Sequence, residues 1–430
     1  MQSYRQIHLK NFNRIALLNY IRRHGSATKT SLSEVTGLTF MAIKNILEEL
    51  MALQLIRQDD YSSSATGHKS ATYRINENYG YTVGLHINVY ETRAAVMNLN
   101  GEILARKKHR DPAVHSDQKR FIDSIADLVN QTIEESGVPR EQLIGLGVAV
   151  PGPVNPEAGM VLTPPNFPSL HYMPIGSVLQ NKLRIPTLVE KDANAIALGE
   201  YWYGAGSNRP APNSNLVYID VDMGIGSGLI IGGELYRSSN FQAGEFGHIT
   251  LDLNGPPCNC GNKGCLEAMG SALAIQKNIR AQLAKYPEHP LYPIRNSFTI
   301  SDVLQCAMDN DVLCISTLNQ SADYMGKAIN TLNNLLDPSC IVLGGMLTDE
   351  YKAYFDIVRN TISHKYFRAD QQSVLVKAKL GKNSGVIGAG ELVAENFFTE
   401  LVGDVFFKKE QKNACSDAKT EKKARKAERV

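Results

Sequence analysis

Apolar positions near the start of the chain recur at helical spacing. Phe12, Ile15, Leu17, Leu18 and Ile21 predict a first amphipathic helix that stops at His24-Gly25. Ser31 and Glu34 read as a capping box that opens a short second helix, and Gly37 breaks it. A third helix is predicted from about Phe40 to Leu53, with Ile43, Ile46, Leu47 and Leu50 facing inward. The stretch LIRQDDYSSSATGHKSATYRI then reads as strand, polar loop and strand, tipped by Gly67, His68 and Lys69. Two helices across a tight turn, followed by a β-wing, predict a winged helix-turn-helix over residues 1–76. Thr39, Met41, Ala42, Lys44 and Asn45 are left on the outer face of the third helix, whose first turns enter the major groove in such modules. Lys69 of the wing would add backbone contacts.

After a linker at residues 77–80 the pattern changes. YTVGLHIN, TRAAVMNLN and EILARKKHR alternate as three strands, the last two joined by an Asn100-Gly101 turn. A helix from about Gln118 to Ser136 and the apolar strand LIGLGVAV follow. LVYIDVD, GLIIGG and ELYR repeat the three-strand opening, and more helices lead to the strand CIVLGG at 340–345. Two similar α/β halves predict a duplicated, two-lobed domain over residues 81–407, with a ligand cleft between its lobes. Residues 408–430 are charged and poor in apolar side chains, so a disordered basic tail is expected there.

Charge refines this division. Residues 1–76 carry 10 Lys+Arg against 5 Asp+Glu, residues 408–430 carry 9 against 4, and the 331 residues between carry 26 against 34. A basic N-terminal module on an acidic body points to a polyanionic partner, double-stranded DNA. No uncharged apolar run is long enough to span a bilayer, and the polar, basic start lacks the apolar core of a secretory signal. A cytoplasmic protein is therefore expected, one in which disulfides rarely persist.

Against that background the cluster His248, Cys258, Cys260 and Cys265 reads as a metal site. One imidazole and three thiolates complete a tetrahedral set for Zn²⁺, and a closed set is structural. This segment, 244–271, resembles the zinc motif of the ROK family, which contains repressors, uncharacterised frames and sugar kinases. VAVPGPVNPEAGMVLTPPNFP, VEKDANAIALGEYWYGAG and AGEFGH extend the resemblance across Tyr81 to about Phe407. The resemblance implies an actin-like, hexokinase-like fold built from duplicated RNase H-like halves. Fusion to a winged helix-turn-helix resembles the family's regulator branch, which includes xylose and N-acetylglucosamine repressors. On the family pattern Asn166, Asp192, Glu245, His248 and Glu267 would hydrogen-bond sugar hydroxyls. The metal would brace Glu245 and Glu267.

The competing expectation is an ATP-dependent sugar kinase with Asp192 as base. The phosphate turns argue against it. Family kinases open with an Asp-x-Gly-x-Thr turn, where this chain reads GLHINVYETRAA, with His86 in place of the acid and Glu91 in the turn. The second turn keeps Gly224, Gly226 and Gly228 but adds Asp222 and Met223. Lys191 replaces the usual Asn before Asp192. The expectation is a sugar-responsive, non-enzymatic DNA-binding regulator, a homodimer or tetramer with a sugar or sugar-phosphate effector.

Overall fold

The structure, a computed structural model, describes residues 2–63, 69–88, 91–110, 117–164, 167–207, 215–362 and 374–402; for 2–8, 60–63, 69, 70 and 168 it describes the backbone only. The wing tip Gly67-His68, the predicted sugar ligand Asn166 and the predicted tail lie outside the described residues, as does the side chain of Lys69.

The N-terminal segment contains α1 (Gln2–His24), β1 (Ala27–Thr28), α2 (Lys29–Thr36), α3 (Phe40–Ala52), β2 (Ile56–Ser63) and β3 (Lys69–Ile75). Strands β2 and β3 form an antiparallel hairpin, and β1 pairs with the outer edge of β3. Gly37 ends α2 in the left-handed conformation, which glycine adopts without a steric penalty. Two details differ from the sequence expectation. The capping box is made by Thr28 and Ser31, so α2 starts one turn earlier than Ser31-Glu34 suggested. Helix α1 extends further toward the N-terminus than the apolar stripe indicated, and Phe12 is exposed, because the buried face is set by Leu17, Leu18 and Ile21. Ile43, Leu47 and Leu50 are fully buried, whereas Ile46 is only half-buried.

The first lobe comprises β4 (Tyr81–Ile87), β5 (Thr92–Asn98), β6 (Ile103–His109), α4 (Gln118–Ser136), β7 (Leu143–Val150), β8 (Val154–Asn155), β9 (Met160–Val161), α5 (Ile175–Leu183), β10 (Thr187–Lys191) and α6 (Asp192–Trp202). The second comprises β11 (Leu216–Val221), β12 (Ile225–Ile231), β13 (Glu234–Leu235), α7 (Leu266–Gly270), α8 (Ala272–Gln282), α9 (Ile300–Met308), α10 (Val312–Leu336), β14 (Cys340–Gly344), α11 (Met346–Glu350), α12 (Lys352–Thr361), β15 (Val374–Lys377) and α13 (384–402). The sheets run β10-β7-β4-β5-β6 and β13-β12-β11-β14-β15. In each, three antiparallel strands are followed by two that join in parallel on the side of the first. The two lobes therefore share one topology.

The helix after the fifth strand of each lobe reaches toward the other. Helix α6 packs on β11 and β12 of the second lobe, and α13 lies on β4 and β7 of the first. Their contacts are backbone to backbone. A Cβ on Gly147 would sit 1.8 Å from the Ala389 carbonyl oxygen, and one on Gly388 would sit 1.7 Å from that of Ala195. Only glycine admits such an approach. Residues Ala193–Trp202 of α6 are all buried, as befits a helix packed on every side.

Candidate functional site

The β10–α6 junction sets the site. Glu190 is buried at the end of β10, where one carboxylate oxygen accepts from the Lys191 backbone N–H and from Asn194 Nδ2, each at 2.9 Å. The other oxygen meets Arg237 Nε at 2.6 Å. This frame aims the next side chains. Lys191 Nζ donates to the Ala243 carbonyl at 3.0 Å and to Glu245 Oε1 at 3.1 Å. The other oxygen of Glu245 lies 3.8 Å from His248 Nε2. His248 turns its opposite nitrogen, Nδ1, toward Cys258 Sγ at 3.6 Å.

Cys260 and Cys265 stand 3.6 Å apart, sulfur to sulfur, and the four ligand atoms of His248, Cys258, Cys260 and Cys265 all lie within 4.8 Å of one another. A disulfide needs about 2 Å. Sulfurs and nitrogen bound tetrahedrally to one ion at about 2.3 and 2.0 Å lie some 3.6 Å apart. The cluster thus has the spacing of a metal set and not of a disulfide, and it can hold an ion. The loop that carries it is closed by backbone bonds: Cys258 N–H to Asn262 O, Gly264 N–H to Pro256 O, and Leu266 N–H to Ile249 O.

Of the predicted sugar ligands, Asp192, Glu245 and His248 fall on one connected side. Glu267 is placed differently. Its Oε2 accepts the Ile225 N–H at 2.9 Å, so it ties the β11–β12 turn down and keeps one oxygen for other partners. Asp192 also borders a cleft of about 620 Å³ between the lobes, lined on its far side by His86, Arg93, Asp220, Asp222, Met223 and Asp349. Burial, opposed by the Ala193 N–H and the Lys191 charge, pushes the Asp192 carboxyl up to about 6. Burial and then the Asp222 charge push Asp220 up to about 7. Asp222 and Asp349 are raised too, first by burial. The first turn, beside β4, is charge-matched instead. Burial works against the Glu91 anion, but the hydrogen bond and charge of Arg93 outweigh it and hold the carboxyl below its ordinary range. Glu91 is thus neutralised by Arg93 rather than left to repel an anion. Burial, and then Arg93, lower His86 to about 4, so its imidazole is neutral at physiological pH.

In the N-terminal segment Thr39 caps α3 by accepting the Ala42 N–H at 3.3 Å. Met41, Lys44 and Asn45 are exposed and Ala42 is half-buried. Lys44 pairs loosely with Glu48 at 3.7 Å. These side chains lie together on the outer turns of α3.

Sequence reasoning overlooked two contributors. Lys191 was noticed as a departure, not as the partner of Glu245. Glu200 is fully buried and accepts backbone N–H groups from Ala205, Lys379 and Leu380, which joins the end of α6 to the segment shortly before α13. The signal available was a run of charged residues, Glu190, Lys191, Asp192 and Glu200, around a helix that is otherwise apolar.

Two lobes of one topology, crossed by their own final helices around a cleft, define the actin-like, hexokinase-like class. Residues 82–396 match the ROK family, and the chain belongs to it. It is 27% identical over 394 residues to the xylose repressor of Bacillus spizizenii, covering 91% of this chain and 97% of that protein. It is 30% identical over 319 residues to a glucokinase of Halalkalibacterium halodurans, covering 73% of this chain and 94% of the kinase. Among solved structures, a ROK family transcriptional regulator homologous to the E. coli MLC protein superposes over 92% of this chain with a TM-score of 0.73, at 24% identity.

Proposed function

We propose that this protein is a sugar-responsive, DNA-binding transcriptional regulator, a repressor of carbohydrate-metabolism genes. The observation that carries it is coverage. The xylose repressor aligns over nearly its whole length and this chain's, and the kinase accounts for only 73% of the chain. A kinase has no use for a recognition helix. The cleft itself is mixed in charge: Asp192, Asp220, Asp222 and Asp349 line it together with Arg93, Lys108, Arg110 and Lys382.

In this reading a sugar is held by Asp192, Glu245, His248, Glu267 and Asn166, which supply fixed acceptors around a ring. Zn²⁺ is held by His248, Cys258, Cys260 and Cys265 and contributes folding energy rather than chemistry. Nδ1 of His248 serves the ion, and Nε2 is left for Glu245 and the sugar. Thr39, Met41, Ala42, Lys44, Asn45 and Lys69 meet the operator, with two copies of the chain on half-sites about one helical turn, or a multiple, apart. A sugar or sugar phosphate that prefers one lobe arrangement shifts the pair of DNA-binding modules.

The test is a thermal-shift panel of pentoses, hexoses and N-acetylhexosamines, run beside a coupled assay for ATP consumption. Stabilisation without ATP turnover is the expected result and identifies the effector class. Turnover that disappears in Asp192→Ala would establish a sugar kinase instead.

A further inference from the structure

We propose that Arg22 is the positioning residue that fixes the DNA-binding module to the α6–α13 cross, and that sugar occupancy at Asp192 reaches the recognition helix through it. The inference rests on the sensor reading above and names its route.

The two ends of α6 carry the argument. Its first residue, Asp192, borders the cleft, and its last, Trp202, lies under Arg22 of α1. Eleven residues of helix separate these points by about 15 Å. Arg22 is almost entirely buried, its side chain 3% exposed. Its Nη2 donates to both oxygens of Glu391 on α13, at 2.6 and 2.8 Å. Its guanidinium is sandwiched between Trp202 of α6, at 4.3 Å, and Phe398 of α13, at 4.5 Å. Tyr203, just beyond α6, donates to the same Glu391 at 2.6 Å. Arg23 repeats the contact next door by donating to Tyr201 of α6 at 2.6 Å.

One cation therefore touches both crossing helices at once. The cross itself is stiff, because Gly388 and Gly199 bring its two backbones into contact and Glu200 ties the end of α6 to Lys379 and Leu380, shortly before α13. Beyond Arg22 the route continues within α1. Arg14, also buried, pairs with Glu49 of α3 at 2.9 Å, which is the recognition helix. The hydrophobic core of the N-terminal module is shared with Leu99, Ala394 and Phe398 of the lobed domain, so the module has no independent seating.

The chemistry of the joint suits transmission better than adhesion. A buried ion pair contributes little net stability, since desolvation cancels most of its attraction. Arg22 Nε and Nη1 have no hydrogen-bond partner among the described residues, so this pair is weaker still as glue. It is geometrically demanding instead. A planar cation between two rings, gripped by a carboxylate that a tyrosine also orients, tolerates one orientation. A shift of α6 must then move α1, and α3 with it.

The test compares wild type with Arg22→Met. Calorimetry with D-xylose, D-glucose and N-acetylglucosamine gives sugar affinity without DNA. Binding to a duplex selected from random sequences on wild-type protein gives DNA affinity with and without each sugar. The variant is expected to bind the active sugar within about twofold of wild type, yet its sugar-induced change in DNA affinity falls about tenfold or more, toward none. Arg22→Lys keeps the charge without the planar fork and should fail to restore the response. If Arg22→Met does not fold, Trp202→Leu removes one stacking face and takes its place. An equally responsive variant overturns the joint, and so does one whose sugar binding is lost along with its response. A wild-type protein whose DNA affinity ignores every sugar overturns the sensor reading itself.

Discussion

Asp192 has two differently built sides. Toward the cysteine cluster, charges are matched and chained: Lys191 to Glu245, Glu245 to His248, His248 to Cys258. Toward the second phosphate turn, Asp220, Asp222 and Asp349 gather with no matching cation in hydrogen-bond contact among the described residues, and burial raises all three. The first side is a preorganised set of donors and acceptors, which a neutral polyol can use. The second groups raised carboxyls in a cleft that Arg93, Lys108, Arg110 and Lys382 also line. Charge pairing is what separates the two sides.

The largest blow to this contrast should come from the metal. Cys260→Ser removes one of four ligands from the cluster. The expected outcome is loss of bound zinc by atomic emission, a stability loss of more than about 3 kcal/mol, and no sugar-induced thermal shift. A variant that kept one zinc ion and the wild-type shift would separate the cluster from the pocket and end the bracing argument.

Most of this contrast was legible in the sequence on one side only. Helix α4 and strand β7 fall where periodicity placed them, and the cysteine spacing marked a cluster that can hold an ion, because both signals are local. The exposure of Phe12 and the true cap at Thr28 were not legible, since they depend on which face the lobed domain covers and on local backbone geometry. The bond from the Ile225 N–H to Glu267 was not legible either, since it spans 42 positions that no pattern links. Glu91 looked repulsive until Arg93 was seen folded back against it. Sequence shows which charges a segment holds; only the fold shows which are already spent.

A second test sharpens the comparison by removing one carboxylate charge from each side. Glu245→Gln removes the anion that Lys191 holds, and Glu91→Gln removes the one that Arg93 and Lys108 hold. Glu245 is about half-exposed, so its substitution should cost less than about 1 kcal/mol of stability. Sugar affinity should nevertheless fall by about 1.5–3 kcal/mol, the worth of a charged hydrogen bond. Glu91→Gln should leave sugar affinity unchanged. Calorimetry with the sugar found active in the thermal panel reads both, and equal losses would dissolve the distinction between the two sides.

A last test probes the carboxylates of the second turn through pH. Asp220 titrates near 7 in the folded protein, against 3.8 ordinarily, chiefly through burial and then the Asp222 charge. A raised carboxyl holds its proton longer folded than unfolded. Its contribution is therefore fully present below about pH 4 and is lost as pH rises through about 7. Asp220→Asn is neutral throughout, and its side-chain carbonyl can still accept from the Tyr218 hydroxyl that now donates to Asp220 at 2.8 Å. The variant should match wild type near pH 4, gain on it up to about pH 7, and hold a constant advantage above. Melting curves across that range decide the matter. An advantage that stayed flat or shrank with pH would mean that burial and the Asp222 charge do not keep Asp220 protonated in the fold. Asp220 would then be ionised in the fold at neutral pH, as the paired carboxylates on the near side are placed to be, and the contrast between the two sides of Asp192 would be gone.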